Sequence, residues 1–334
     1  MNILVTGSLG FVGSHLAKRY HYQGHNVIGI DNGVGGYDDN LTEVQTYKID
    51  CCDQSNLDTL FARNKFDLVI HAACTAYEGL SVVSPVFVTR NTYDATVNVV
   101  CTSIKHKVKK FVYMSSMARY GKQQPPFTED MKPAPEDPYG IAKVAAEDTV
   151  KCLCDVNGIE WSIAVPHNIY GPQQVYDDPF RNVVSIFLHR NLQGKPPIIY
   201  GDGEQMRCFS YIDDTLQVFD EICFGSKSSA ETFNIGPDED YVTINTLAEM
   251  CANATGYNGK PHYMPGRPKE VKYATCSSDK IRKYFNYETK INLAQGINKT
   301  LDFIKTRGIR KFNYSLPIEI DNEHTPTTWT KKLI

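Results

Sequence analysis

The 334-residue sequence predicts an α/β fold, a doubly wound parallel sheet followed by a smaller C-terminal α/β portion. Short runs rich in Val and Ile alternate with segments of helical period through the first half, and that alternation signals parallel strands joined by helices. A glycine loop sits between the first such run and the first helical segment, the arrangement of a Rossmann-type sheet. After about residue 165 the alternation gives way to Pro- and Gly-rich segments, the composition of loops built over a scaffold.

In order, the strand candidates are "NILVT", "NVIGI", "TYKI", "FDLVIHAA", "KFVYMSS" and "EWSIAV". The helical stretches between them include "FVGSHLAKRYHYQG" and "PYGIAKVAAEDTVKCLCDVNG", the second ending at an Asn-Gly stop. Right-handed crossovers are expected throughout. Beyond residue 165 come "HNIYGPQQ", "GKPPIIYGDGE" and "YMPGRPKE". The closing "SLPIEIDNEHTPTTWTKKLI" has little periodicity and is expected to wrap the surface or be partly mobile. No internal repeat or low-complexity tract is evident.

Composition narrows the function classes. A formal net charge of −3 without a long basic run argues against a nucleic-acid or anionic-membrane surface and favours small-molecule chemistry. No window approaches the roughly 20 consecutive apolar residues of a spanning helix, and "MNILVTG" is unlike a secretory leader. No membrane association is expected, and a cytoplasmic location is. Ten scattered cysteines, with Cys51-Cys52 and Cys152-x-Cys154 lacking zinc-knuckle spacing, read as reduced thiols with no metal.

"VTGSLGFVG" places Gly7, Gly10 and Gly13 after the first strand and at the start of a helix, with Asp31 closing the second strand. Glycine permits the tight turn and close backbone approach, and the helix N-terminus offers free N–H groups to a pyrophosphate. Asp31 is placed to accept hydrogen bonds from an adenosine ribose. The following "NGVGG" carries no Arg or Lys for a 2′-phosphate, so NAD is favoured over NADP.

"PYGIAK" sets Tyr139 and Lys143 on one helical face, and none of the other nineteen tyrosines has Lys at that spacing. A phenol is protonated at neutral pH, but an adjacent ammonium and a bound nicotinamide cation both favour the phenolate. Tyr139 is thereby a candidate general base.

The loop "TGSLGFVG", "HAA", "SSMARYG", "YGIAK", "HNIYGP" and "RCFSYIDD" occur in an order that resembles extended short-chain dehydrogenases/reductases. Within them the chain is most similar to the nucleotide-sugar epimerase/dehydratase branch, above all UDP-hexose 4-epimerases, over residues 1 to about 280. The resemblance implies a catalytic set of Ser116, Tyr139 and Lys143, with Ser116 found by counting back from Tyr120. It implies NAD contacts at Gly7, Gly10, Phe11, Val12, Gly13, Asp31, Asn32, Asp50, Cys51, His71, Ala72, Ala73, Asn91, Ser115, Tyr139, Lys143 and His167. For a nucleotide-sugar substrate, a UDP-sugar first, it implies Ser116, Tyr139, Asn168, Asn182, Val183, Arg207, Arg267 and Glu270. Ala274 aligns with a position that gates room beside the sugar's second carbon.

Family dehydratases and decarboxylases carry acids in the two positions after the triad serine or threonine, where this chain has Met117 and Ala118. Neither side chain can transfer a proton, so the resemblance implies epimerisation through a transient 4-keto sugar and NADH. A dehydratase with a nonstandard acid and a non-catalytic NAD(H) sensor remain the alternatives. Arg119 has no account at this level. The implied organisation is an NAD-binding Rossmann domain over 1–165 and a mainly substrate-binding portion over 166–334. Part of about 205–238 is expected to return to the first domain. A homodimer through helices near 86–106 and 140–156 is also implied.

Overall fold

The computed structural model describes residues 1–334. Its first half runs β1 (Asn2–Thr6), α1 (Phe11–Tyr22), β2 (Asn26–Asp31), β3 (Gln45–Lys48), α2 (Gln54–Arg63) and β4 (Leu68–His71). Then follow α3 (Glu78–Ser81), α4 (Pro85–Thr89), α5 (Ala95–Lys105), β5 (Lys110–Met114), α6 (Pro138–Asn157) and β6 (Glu160–Pro166). All these strands are parallel, and β11 (Glu231–Ile235) joins them beside β6, giving the order β11-β6-β5-β4-β1-β2-β3. The chain thus leaves the sheet after β6 and returns to it some 65 residues later, 231 against 166.

Period-two alternation decides which core each strand residue enters. Ile3 and Val5 of β1 face the cluster that holds Leu16 and Tyr20 of α1, whereas Leu4 between them faces Leu57 of α2, Val99 of α5 and Val150 of α6. Both faces of the sheet are therefore covered, as a parallel sheet requires. Helix α6 has legible ends. The Asp137 carboxylate accepts from the Gly140 N–H at 3.0 Å, Pro138 occupies the first turn, and Gly158 caps the other end at φ +65°.

The rest is built from short pieces: β7 (Ile169–Tyr170) against β10 (Ser210–Tyr211), β8 (Ile198–Tyr200) against β13 (His262–Met264), and β9 (Met206–Arg207) between β12 (Val242–Thr243) and β14 (Tyr273–Ala274). Helices α7 (Val183–Leu192), α8 (Ile212–Phe224), α9 (Ile244–Thr255) and α11 (Leu293–Arg307) accompany them, α8 packing back onto α1 and β6; the short α10 is Asp279–Phe285. The last residues do lie across other elements. Glu319 accepts from the Val86 and Phe87 N–H groups at 2.8 Å each, and Trp329 is buried against Leu80 and Phe180. No helix is long and apolar enough to cross a membrane.

Candidate active site

One cavity of about 440 Å³ opens at the C-terminal ends of β1, β4 and β5 and extends into the second half of the chain. That is within the roughly 300–1,000 Å³ of ligand pockets and at the place where an open parallel sheet binds ligands. Every candidate site residue named above lines it except His71 and His167. Those two lie behind its wall. His71 is sealed beneath the wall, bonded to Thr6 Oγ1 at 2.8 Å and Thr96 Oγ1 at 3.0 Å, and burial drives its pKa down to about 3. His167 is likewise buried, its Nε2 bonded to the Pro237 carbonyl at 2.7 Å. Both are buried imidazoles behind the cavity wall.

At the first end of the cavity, Gly7 has φ +66°, and a Cβ there would lie 2.8 Å from Ala73 Cα. Only glycine lets the loop rest against the turn after β4. Gly10 at the start of α1 gives no side-chain cap, so the first N–H groups of the helix are left facing the cavity. The Asp31 carboxylate accepts from the Leu9 N–H at 2.9 Å and the Gly33 N–H at 2.7 Å, tying the glycine loop to the end of β2. Burial raises its pKa, against the pull of those backbone bonds. Asp50 meets Arg90 at 3.2 Å, and Asn91 donates to the Phe87 carbonyl at 2.9 Å. Uncapped N–H groups, a carboxylate beyond them and a cradle that a Cβ would fill all fit a dinucleotide.

In the middle sit the candidate proton-handling groups. Lys143 is fully buried, donates from Nζ to the Met114 carbonyl at 2.6 Å and stands 5.7 Å from the centre of the Tyr139 ring. Burial pushes Tyr139 well above the usual phenol value, Cys74 adds to the rise, and the neighbouring Ser116 hydroxyl pulls the other way. Ser116 also accepts from the Ala118 N–H at 3.2 Å, which fixes the turn Met117–Tyr120. Ser115 turns elsewhere: its hydroxyl donates to Glu147, whose other carboxylate oxygen meets Arg119 at 3.3 Å.

At the far end, Arg207 donates to the carbonyls of Val271, Met206 and Lys272 at 2.5, 2.8 and 3.1 Å, and Ala274 is its register partner across β14. Arg267 bonds Glu270 at 2.6 Å and lies over the Tyr200 ring. Asn168 donates to the Cys208 carbonyl, and Asn182 caps α7 by accepting from the Val184 N–H at 3.1 Å. Two forked guanidiniums opening on one space fit a diphosphate.

Four charged lining residues, Glu78, Asp137, Arg181 and Lys269, have no sequence expectation behind them. Glu78 opens the one-turn α3, too short to carry a periodic signal, and Arg181 precedes the α7 cap. Arg181 donates to the Ala76 carbonyl at 3.2 Å and stacks 4.6 Å over Tyr77.

The dinucleotide cradle, the doubly covered parallel sheet and the Ser116–Tyr139–Lys143 grouping define an extended short-chain dehydrogenase/reductase. Residues 3–236 match the NAD dependent epimerase/dehydratase family, and the chain belongs to that family, with NAD as its cofactor. A UDP-glucose 4-epimerase of Mycolicibacterium smegmatis is 31% identical over 323 residues, covering 92% of this chain and 99% of the relative. A UDP-N-acetyl-α-D-glucosaminuronate decarboxylase of Bacillus cytotoxicus is 29% identical, covering 90% and 97%. The crystal structure of UDP-glucose 4-epimerase with UDP-glucose from Thermotoga maritima superposes with a TM-score of 0.87 at 31% identity, covering 92% and 99%.

Proposed function

We propose that the protein is a UDP-sugar 4-epimerase of the UDP-glucose or UDP-N-acetylglucosamine type. The carrying observation is that Met117 and Ala118, which cannot transfer a proton, line the cavity beside Ser116 and Tyr139. NAD, when bound, supplies the hydride acceptor and donor. Tyr139 takes the proton from the hydroxyl at carbon four, Ser116 hydrogen-bonds the same oxygen, and Lys143 holds the charge that favours the phenolate. The resulting 4-keto sugar turns over between the nicotinamide end and the arginine end. Tyr139 then returns the proton to the other epimer. Arg207 and Arg267 keep the diphosphate while the sugar moves, and Ala274 leaves room for an acetamido group.

A panel of UDP-, dTDP- and GDP-sugars analysed by NMR tests this. Epimers at carbon four support it, and a product lighter by one water sinks it. Elimination is the second reading, favoured by a carboxyl in the cavity, Glu78, that titrates close to neutrality. A catalytically silent NAD(H) sensor has no need of a phenol beside a lysine.

We also read residues 1–165 as the cofactor domain and 166–334 as mainly the substrate portion. The chain acts in the cytoplasm as a homodimer through the α4–α6 face. Support for that face is its uncovered apolar side chains, Val86 at 71% and Ile141 at 55% exposure. Light scattering after size exclusion gives twice the chain mass if the face pairs.

A further inference from the structure

We propose that Glu78 selects the sugar, accepting hydrogen bonds from a neutral hexose or N-acetylhexosamine and turning away a sugar that carries a carboxylate. The inference rests on the UDP-sugar reading above and names the substrate class within it.

Glu78 is placed between the catalytic phenol and the arginine end by its neighbours on both sides. Toward the phenol, Ser81 Oγ donates to the Glu78 carbonyl at 2.6 Å and reaches Asp137 Oδ1 at 3.3 Å. That same Asp137 oxygen accepts from the Gly140 N–H, adjacent to Tyr139. Toward the other end, a Cβ on Gly79 would lie 3.6 Å from Arg267 Nη1. One side of α3 is therefore pinned to the cap of the catalytic helix and the other to a diphosphate arginine. A sugar linked to that diphosphate and reaching Tyr139 must pass Glu78.

The carboxylate is free for that contact. Glu270 already pairs with Arg267, and Arg207 donates to three carbonyls, while the Glu78 side chain has no hydrogen bond or ion pair within the chain. It lines the cavity and is exposed there. Two further lining cations could welcome a second carboxylate: Lys269 already reaches Glu136 at 3.5 Å, and Arg181 donates to the Ala76 carbonyl and stacks on Tyr77. Arg181 lies 4.0 Å from where a Cβ on Gly35 would sit, and the adjoining Gly36 packs on Leu9 and Gly10.

Enclosure raises the Glu78 carboxyl to about 7, Asp137 adds to the rise, and Arg207 and Arg267 oppose it. Glu270 adds a further negative charge, and the Tyr139 phenol is held neutral by burial. Above that value Glu78 is an anion, and a uronate placed against it must either face a like charge or bring in a proton. Binding of a uronate should therefore weaken as pH rises, while binding of a neutral sugar should not.

The test uses NAD-loaded protein carrying Tyr139→Phe, so that ligands are not turned over, and isothermal titration with UDP-glucose and UDP-glucuronate. From about pH 6 to about pH 8.5 the UDP-glucuronate Kd should weaken by at least ~10-fold and that of UDP-glucose by less than ~3-fold. Adding Glu78→Gln should remove the uronate's pH dependence, and Glu78→Asp, which keeps the charge, should retain it. Equal affinities for the two ligands at the higher pH, or an unchanged ratio in Glu78→Gln, overturn the proposal. NMR on the enzyme with Tyr139 intact separates the two levels. No epimer from any sugar defeats the 4-epimerase reading without touching the binding result. A dehydrated product that Glu78→Gln abolishes makes Glu78 an elimination acid instead, and overturns the selector role.

Discussion

Arg119 Nη2 stands 3.3 Å from Glu147 Oε2, and both side chains are shut away from water. Glu147 lies one turn beyond Lys143 on α6, and its other oxygen receives the Ser115 hydroxyl. The pair therefore locks the strand end that carries the two serines to the helix that carries Tyr139 and Lys143. Arg119, which has no role legible in the sequence, is the counter-charge of that lock.

Removing one partner of a buried pair strands the other, at a cost of about 3–5 kcal/mol. Arg119→Met should fall near the low end of that range, because Lys151 remains 3.6 Å from Glu147. Urea titrations read the loss. An Arg119→Met/Glu147→Leu double variant should be less destabilised than Arg119→Met alone, and equal or greater loss would show that the pair is not what the arginine is for.

Tyr139→Phe should lower turnover by at least ~100-fold, the low end for a positioned acid or base, while nucleotide-sugar binding survives. Near-normal activity would remove Tyr139 from its assigned role. Ser116→Ala is expected to cost less, since Ser116 assists at an oxygen whose proton Tyr139 moves.

Gly7→Ala tests the cofactor cradle. The new methyl group meets Ala73 backbone at 2.8 Å in a conformation that L side chains rarely adopt. The loop must shift, and NAD carried through purification, measured after acid release, should fall at least ~10-fold. Full retention would mean that the dinucleotide does not rest on this turn.

Features set by local chemistry are the ones legible in advance. Asp137, Pro138 and Gly158 bound α6 because caps act within one turn, and the glycine loop announces itself because its residues are consecutive. Non-local features are not. That β11 pairs with β6 depends on Glu231–Ile235 meeting Ser162–Pro166 in register, which no window of sequence displays. Glu78 escapes notice because α3 is a single turn. The partners of His71 and His167 are equally non-local: neighbours of cavity residues in sequence, the two imidazoles bond to Thr6 and Pro237 behind the wall.

The arginine end yields a prediction in which a double variant should outperform a single one. In the proposed site Arg267 does two things at once: it presents a guanidinium to the diphosphate and, at 2.6 Å, pairs with Glu270. Arg267→Met removes an attraction and also bares a carboxylate in the same space, so the diphosphate meets a repulsion that was absent before. UDP affinity should drop by roughly 30-fold or more, about 2 kcal/mol by the usual conversion. Adding Glu270→Gln removes the bared charge without changing the side chain's shape, and should recover about fivefold of that loss. Arg207→Met has no paired carboxylate to release, so Glu270→Gln should not rescue it. Titration of UDP into the four variants reads all of these terms. If Glu270→Gln rescues neither arginine variant, the Arg267–Glu270 pair lies outside the diphosphate site.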